Sequence, residues 1–266
     1  MPVLRDAGRH ARGWISRRRR RHNLAMFHAG RCGSTVLGRM LEARRDMVWA
    51  GELLMDIRRD EPERADRAPV VARRVRRWRD AHLTPYFGFE TKFLPQLDLR
   101  PTHANLELPA YLDLLRSLGF DRFVVLQRRN PLRRAVSVEV ARQRKQWHTQ
   151  EASREATRIH LNVDAFQTGN ETEPLIRLFE RIDAQYELIR GLLAEEPLTW
   201  LTYEDDILPD PRIGYRRVCE MLELDPGQTS VDLKRTNPYP LDEQVENITA
   251  VAAALRGSPY EWMLDD

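Results

Sequence analysis

Short apolar runs alternate with stretches of helical periodicity along this chain. Leu24 to Phe27 is an apolar run that ends in a glycine-containing turn, and apolar residues then recur at helical spacing from Val36 to Leu41. The pattern predicts strands over residues 24–27, 86–93, 123–126 and 198–202, and helices beginning near residue 34, over 108–118, from 131, over 174–193 and over 211–222. Strands that alternate with helices favour a single α/β domain with a mostly parallel central sheet flanked by helices.

One region departs from this pattern. Residues 58–80 are crowded with arginine and acidic residues, and they include Pro62 and Pro69. Such a composition predicts an exposed helix or loop that contributes little to the core.

The amino terminus is strongly basic, with a run of arginines from Arg17 to Arg21. No apolar segment follows this run, so we expect neither a secretion signal nor a membrane span. We predict a flexible basic tail over residues 1–22 and one domain over residues 23–266. A solvated tail is the favoured interpretation, and peripheral contact with an anionic membrane surface is the alternative. Two cysteines are too few for a disulfide framework, which fits a cytoplasmic protein.

Residues 27–35 have the features of a phosphate-binding loop. Gly30 and Gly33 allow backbone amides to converge on an anion, and the helix predicted to begin near Ser34 adds free N–H groups. The alternative is a plain glycine turn in which Ser34 caps the helix.

A loop for ATP or GTP would carry a lysine directly after the second glycine. Here Ser34 follows Gly33. The predicted strand 123–126 is followed by Gln127 rather than by the aspartate that holds magnesium in such enzymes. Both departures disfavour a magnesium-dependent kinase.

A resemblance to a known family rests on this loop, which reads Ala29-Gly30-Arg31-Cys32-Gly33-Ser34-Thr35. The stretch resembles the first signature of the sulfotransferases that use 3′-phosphoadenosine 5′-phosphosulfate (PAPS), whose bacterial members commonly carry arginine at the position of Arg31. The resemblance implies a P-loop-like fold in which the loop from Gly30 to Thr35 binds the 5′-phosphosulfate. It further implies that the reaction requires no metal. It also implies that Arg31 neutralises the leaving phosphate, and a guanidinium suits that role because it binds two oxygens at once.

Two further stretches are similar to signatures of the same family. Residues 129–137 resemble its Arg-Asn-Pro element, which implies that Arg129 and Ser137 bind the 3′-phosphate. The two residues are about two helical turns apart and so share a helix face. Residues 201–206 resemble its Tyr-Glu-Asp strand end, which implies that Tyr203 lies near the adenine and that the two following acidic residues are structural. The C-terminal phosphate clamp of the family is absent in its usual form, and the candidate substitutes are Arg256 and residues 234–238.

The candidate catalytic residues depart from the animal enzymes of the family. Where those enzymes place a catalytic histidine, this chain has Phe93, which cannot take a proton. Some bacterial members use a glutamate soon after the first helix, and the stretch around Glu52 resembles that element, so we predict Glu52 as the general base. Lys92 ends a predicted strand and is the candidate contact with the sulfuryl group. The alternative bases are three histidines, namely His28, His148 and His160.

Together these patterns predict transfer of a sulfuryl group from PAPS to a hydroxyl or amine of a small-molecule, carbohydrate or glycolipid acceptor, which leaves 3′-phosphoadenosine 5′-phosphate (PAP). The sequence does not select among these acceptors. The alternatives are a P-loop kinase and a noncatalytic protein that binds anions or nucleic acid through the arginines clustered over residues 128–144. We expect no nucleic-acid partner, because no recognised nucleic-acid-binding motif is present, and no metal site, because no ligand spacing is found.

Overall fold

The computed structural model describes residues 21–55, 57, 67–145, 156–231 and 239–265. The strands in these residues are β1 (His22–His28), β2 (Met47–Trp49), β3 (Tyr86–Lys92), β4 (Arg122–Gln127), β5 (Phe166–Thr168), β6 (Glu171–Glu173) and β7 (Leu198–Thr202). The helices are α1 (Ser34–Glu42), α2 (Ala68–Asp80), α3 (Leu108–Ser117), α4 (Pro131–Arg144), α5 (Leu175–Leu192), α6 (Arg212–Met221), α7 (Leu241–Gln244) and α8 (Ile248–Leu255). A central sheet has the order β2-β3-β1-β4-β7 with every neighbouring pair parallel, and β5 and β6 form a separate antiparallel hairpin.

Side-chain alternation along the strands explains why both faces of the sheet are apolar. In β1, Ala25 and Phe27 belong to one buried cluster, whereas Leu24 and Met26 belong to the other. Helices α1 and α6 pack on the Leu24 face, and α2, α3, α4 and α5 pack on the Phe27 face. The sheet therefore lies between two layers of helices, as parallel strands with helical crossovers require.

The predicted α/β class and the mostly parallel central sheet are confirmed. The four predicted strands correspond to β1, β3, β4 and β7, and the observed bounds differ from the predicted ones by at most two residues. The sequence pattern did not reveal β2, the β5–β6 hairpin or the helices α7 and α8. These elements are short, and short elements carry little periodicity.

The prediction that residues 58–80 contribute little to the core is wrong for residues 68–80. Residues 58–66 lie outside the described residues. Residues 68–80 form α2, which buries Val70, Val71 and Val75 against the Phe27 face of the sheet. Valines at helical spacing give α2 an apolar side even though arginines dominate its composition.

Within the described ranges, no helix is both long enough and apolar enough to cross a membrane. Residues 1–20 of the predicted basic tail lie outside those ranges, and β1 begins at His22.

Candidate active site

One cavity of about 890 Å³ opens at the carboxyl ends of the five parallel strands. Each strand, or the loop that follows it, contributes a polar side chain to the wall: His28 from β1, Glu52 after β2, Lys92 from β3, Arg128 after β4 and Tyr203 after β7. Open parallel sheets bind ligands at this edge, because loops from several strands converge there. The cavity is therefore the candidate active site.

The predicted phosphate loop forms part of the wall through Gly30, Arg31, Gly33, Ser34 and Thr35. Its backbone is left-handed at Gly30, Arg31 and Gly33, with φ values of 83°, 59° and 86°. Gly33 also packs closely, since a Cβ there would lie 2.5 Å from Cγ2 of Ile207. Left-handed turns of this kind point backbone N–H groups toward a common centre, and α1 begins directly after the loop.

Three guanidinium groups line the cavity beside this loop. Nε of Arg31 donates to Oγ of Ser137 at 3.0 Å, and Nη1 of Arg128 donates to the backbone O of Arg31 at 3.2 Å. Burial lowers the pKa of Arg31, and the positive charge of Arg128 lowers it further. Burial also lowers the pKa of Arg134, to about 10. Positive charge that is buried and crowded in this way favours an anionic ligand.

Arg134 joins α4 to the phosphate loop and also lines the cavity. Its Nε and Nη2 donate to the backbone O of Ala29 at 3.0 and 2.7 Å, which ties α4 to the phosphate loop. Its Nη1 is buried and has no hydrogen-bond partner among the described residues, although Arg134 lines the cavity. Because a buried donor without a partner is costly, this nitrogen indicates a ligand oxygen at that point of the wall.

The two predicted catalytic side chains on other strands are in contact. Nζ of Lys92 donates to Oε2 of Glu52 at 2.6 Å, and both residues line the cavity. The backbone N–H of Lys92 donates to Oδ2 of Asp98 at 2.7 Å. Burial raises the pKa of Asp98 to about 6, and the charge of Lys92 opposes this effect. A buried carboxyl group therefore fixes the strand end that presents Lys92.

The β5–β6 hairpin forms a further part of the wall, through Phe166, Gln167, Thr168 and Gly169. Arg142 ties the hairpin to α4, because its Nη2 donates to the backbone O of Gln167 at 2.7 Å and its guanidinium lies 5.7 Å from the centroid of the Phe166 ring. The cavity thus has an apolar and amide-bearing side in addition to its basic side, which gives room for a second ligand.

Comparisons with known proteins bear on the fold. The chain matches no protein-family profile and no curated protein sequence. The crystal structure of a sulfotransferase from Alicyclobacillus acidocaldarius is similar to it, with a TM-score of 0.51 at 16% sequence identity over 92% of this chain and 94% of that chain. The chain has a sulfotransferase-like fold.

Within this sulfotransferase-like fold, His28 is placed to support the loop. It is fully buried, its Nδ1 accepts from the backbone N–H of Gly30 at 3.0 Å, and its Nε2 lies 3.0 Å from Oε2 of Glu90. The loop amide already occupies Nδ1 and a carboxylate faces Nε2, so His28 is a poor candidate for removing a proton from an acceptor. His148 lies outside the described residues, and His160 is exposed and does not line the cavity.

Phe93 belongs to the core of the sulfotransferase-like fold. It is fully buried and packs edge-on against Phe27 and Tyr186, with ring centroids 6.3 and 5.1 Å apart. It does not line the cavity. The position at which animal sulfotransferases carry a histidine is therefore an apolar packing position in this chain.

The predicted 3′-phosphate residues lie beside the cavity wall and are not part of it. The two Nη atoms of Arg129 pair with both carboxylate oxygens of Asp205 at 2.7 and 2.8 Å, and the Arg129 side chain is half exposed. Glu204 accepts from the backbone N–H of Arg129 at 3.1 Å. Ser137 is buried and reaches the site through its bond to Arg31. Glu204 and Asp205 therefore position the backbone and the side chain of Arg129.

Two other predicted donor-binding residues also lie away from the wall. The thiol of Cys32 is buried in the core on the Leu24 face, so only the backbone of Cys32 belongs to the loop. Arg256 follows α8 and is exposed. The alternative clamp, residues 234–238, lies outside the described residues.

Arg134 and Glu90 belong to the cavity wall although the sequence did not predict them there, and Arg128 was predicted only as part of an arginine cluster. Glu90 lies two positions before Lys92, and alternate residues of a strand face the same side. Arg134 lies inside the stretch 129–137 that resembles a family signature. The spacing between Glu90 and Lys92, and the position of Arg134 within that stretch, could therefore have placed both residues near the site.

Proposed function

We propose that this protein is a PAPS-dependent sulfotransferase acting on a hydroxyl or amine of a small-molecule, carbohydrate or glycolipid acceptor. The observation that carries the proposal is the presence, in one cavity, of a phosphate loop with three arginines and of the Glu52–Lys92 pair. Sulfuryl transfer needs both, because the donor is a polyanion and the acceptor must lose a proton. The sulfotransferase-like fold supports the same proposal.

In the proposal, the donor lies along the wall of the cavity. We assign the 5′-phosphosulfate to the loop amides, Arg31 and Nη1 of Arg134, which has no hydrogen-bond partner in the described part of the chain. Tyr203, whose ring centroid lies 4.6 Å from the guanidinium of Arg128, is assigned to the adenine. In this assignment Arg129 exchanges Asp205 for the 3′-phosphate, which is a bidentate acceptor of similar geometry.

In the proposed reaction, Glu52 removes a proton from the acceptor, whose oxygen or nitrogen then forms a bond to sulfur. The bond between sulfur and the 5′-phosphate oxygen breaks, and PAP leaves with the electron pair. Lys92 contacts Glu52 through Oε2, which leaves Oε1 for the acceptor proton. Arg31 and Arg134 stabilise the charge that develops on the leaving phosphate, and Lys92 stabilises the oxygens of the transferring group.

We propose a cytoplasmic location for the enzyme on the basis of its cysteines. Cys32 and Cys219 are both free and buried, so neither contributes to a disulfide bond. A cytoplasmic enzyme requires no disulfide, because its compartment keeps thiols reduced.

PAP should stabilise the folded protein without any metal. Within the described part of the chain, no group of three or more His, Cys, Asp or Glu side chains is arranged to hold an ion, and the donor contacts are arginines, hydroxyls and amides. At a PAP concentration of about 100 times its Kd, the free energy of unfolding should rise by about 2.7 kcal/mol.

A thermal-shift panel of PAP, AMP, ATP and GTP, each with magnesium and with EDTA, checks this expectation. AMP is the matched control, because it lacks only the 3′-phosphate of PAP. A stabilising effect confined to ATP with magnesium would contradict the proposal and favour the kinase alternative.

Arg129→Ala should lower PAP affinity by about 10- to 150-fold, because hydrogen bonds to charged groups contribute about 1.5–3 kcal/mol. AMP affinity should change little, because AMP lacks the 3′-phosphate. Ser137→Ala should act in the same direction and more mildly. Asp205→Asn is the matched variant: it removes the competing charge on Arg129 and should strengthen PAP binding. Calorimetric titration with both nucleotides measures all three. Equal losses for PAP and AMP in Arg129→Ala would place the 3′-phosphate site elsewhere.

A further inference from the structure

The carboxyl-terminal half of α2 presents a basic and aromatic face to solvent. Arg76 and Arg77 are exposed, and neither has an acidic side chain within salt-bridge distance among the described residues. Trp78 is 40% exposed and stacks on His82, with ring centroids 6.1 Å apart. Leu83, in the loop that follows, is 44% exposed. We name Arg76, Arg77, Trp78 and Leu83 the α2 patch.

Arg21, the last residue of the arginine run, lies beside this patch. The backbone N–H of Arg21 donates to the backbone O of Pro85 at 2.7 Å, and Pro85 is two residues after Leu83. The first 21 residues of the chain contain eight arginines and a single aspartate. The point at which this basic sequence joins the described fold is therefore in the same region as the α2 patch.

Three acidic groups near this region pair with arginines of the protein. Asp80 pairs with Arg79 at 2.8 Å, Asp121 with Arg122 at 3.5 Å, and Asp46 with Arg44 at 2.8 Å. These three carboxylates therefore oppose the positive charge of the α2 patch less than unpaired carboxylates would.

The α2 patch lies at the edge of the sheet opposite to the cavity. Arg21 precedes β1 and the loop 81–85 precedes β3, so both lie at the amino ends of the strands. Arg79 donates to the backbone O of Leu118, which lies shortly before the amino end of β4, and this contact brings the end of α2 to the same edge. A large partner bound there leaves the cavity mouth unobstructed.

We propose that the α2 patch docks the protein on an anionic lipid surface. Each arginine near such a surface strengthens binding by about fivefold, and an exposed tryptophan beside an exposed leucine suits the interfacial layer of a bilayer. Nucleic acid would use the arginines but would gain nothing from Leu83. This proposal is independent of the sulfotransferase activity.

Vesicle binding by the full-length protein tests the proposal. Co-sedimentation should show binding to vesicles of phosphatidylcholine with phosphatidylserine, little binding to phosphatidylcholine alone, and loss of binding as salt is raised. The double variant Arg76→Glu/Arg77→Glu should bind anionic vesicles about 30-fold more weakly than the parent. Trp78→Ser should bind them more weakly at every salt concentration. Arg39→Glu/Arg216→Glu, which reverses two exposed arginines on α1 and α6, is the matched control and should bind like the parent.

Three results would overturn the proposal. The first is equal binding to neutral and anionic vesicles, and the second is parental binding by Arg76→Glu/Arg77→Glu with an unchanged melting temperature. The third is displacement from anionic vesicles by duplex DNA at equal phosphate concentration, which would assign the patch to nucleic acid. PAP affinity should be unaffected by the patch variants, so failure here leaves the proposed catalysis intact.

Discussion

Replacing Glu52 with glutamine should lower turnover by about 100- to 10,000-fold while PAP affinity barely changes. Glutamine keeps the size of the side chain and its contact with Lys92 through an amide oxygen, but it cannot accept the acceptor proton. Steady-state kinetics with a true acceptor at saturating PAPS measure the effect. Slow hydrolysis of PAPS to PAP can serve first as a coarse assay of donor activation.

Glu42→Gln is the matched control, because Glu42 is an exposed carboxylate at the end of α1, away from the cavity wall. It should leave turnover unchanged. Lys92→Met should differ from both by altering turnover and donor affinity together, since Lys92 is assigned to the transferring group. Near-parental turnover in Glu52→Gln would show that Glu52 is not the base.

Arg134→Met should lower PAP affinity by about 10- to 150-fold. This range corresponds to the loss of about 1.5–3 kcal/mol for a hydrogen bond to a charged group. Methionine keeps much of the apolar stem and removes the three nitrogens, of which Nη1 has no hydrogen-bond partner among the described residues. Because the other two nitrogens bond the backbone O of Ala29, the variant should also lower the melting temperature. Calorimetric titration with PAP measures the loss.

Two comparisons separate binding from loop support. Arg133→Met removes the neighbouring guanidinium, which donates to the backbone O of Tyr239 and does not line the cavity, so it should retain PAP affinity. Arg134→Lys keeps a charge but loses the planar fork, and we expect only partial recovery of PAP affinity. If Arg134→Met melts at a lower temperature yet binds PAP as tightly as the parent, Arg134 supports the loop and does not touch the donor.

The parts of the fold that could be predicted have strong local signals. Apolar runs such as residues 24–27 and 123–126 are flanked by helical periodicity, and this alternation fixes a parallel sheet with helices on both faces. A parallel sheet in turn brings the carboxyl ends of its strands to one edge, so Lys92 and the phosphate loop are expected to meet there. Glu52 was predicted only from the resemblance, because β2 was not recognised in the sequence. The structure places all of them in one cavity.

What sequence could not supply is the direction of individual side chains. Arg128 and Arg129 are adjacent at the end of β4, yet Arg128 lines the cavity and Arg129 turns outward to Asp205. Tertiary contacts make that choice, since Arg128 stacks on Tyr203, which lies 75 residues away in the chain. The hairpin β5–β6 escaped prediction for a related reason: most of its short strands are polar, and its place in the wall depends on Arg142.

Each strand end contributes one polar side chain to the cavity, and this arrangement determines when the site forms during folding and when it is lost on heating. The five contributors run from His28 to Tyr203, so no single segment of the chain contains the whole site. The complete site forms only when every parallel pairing of the sheet is in register, which makes it a late product of slow, non-local folding. A partly folded chain therefore lacks the complete site, and on heating, loss of ligand binding should coincide with cooperative melting of the sheet.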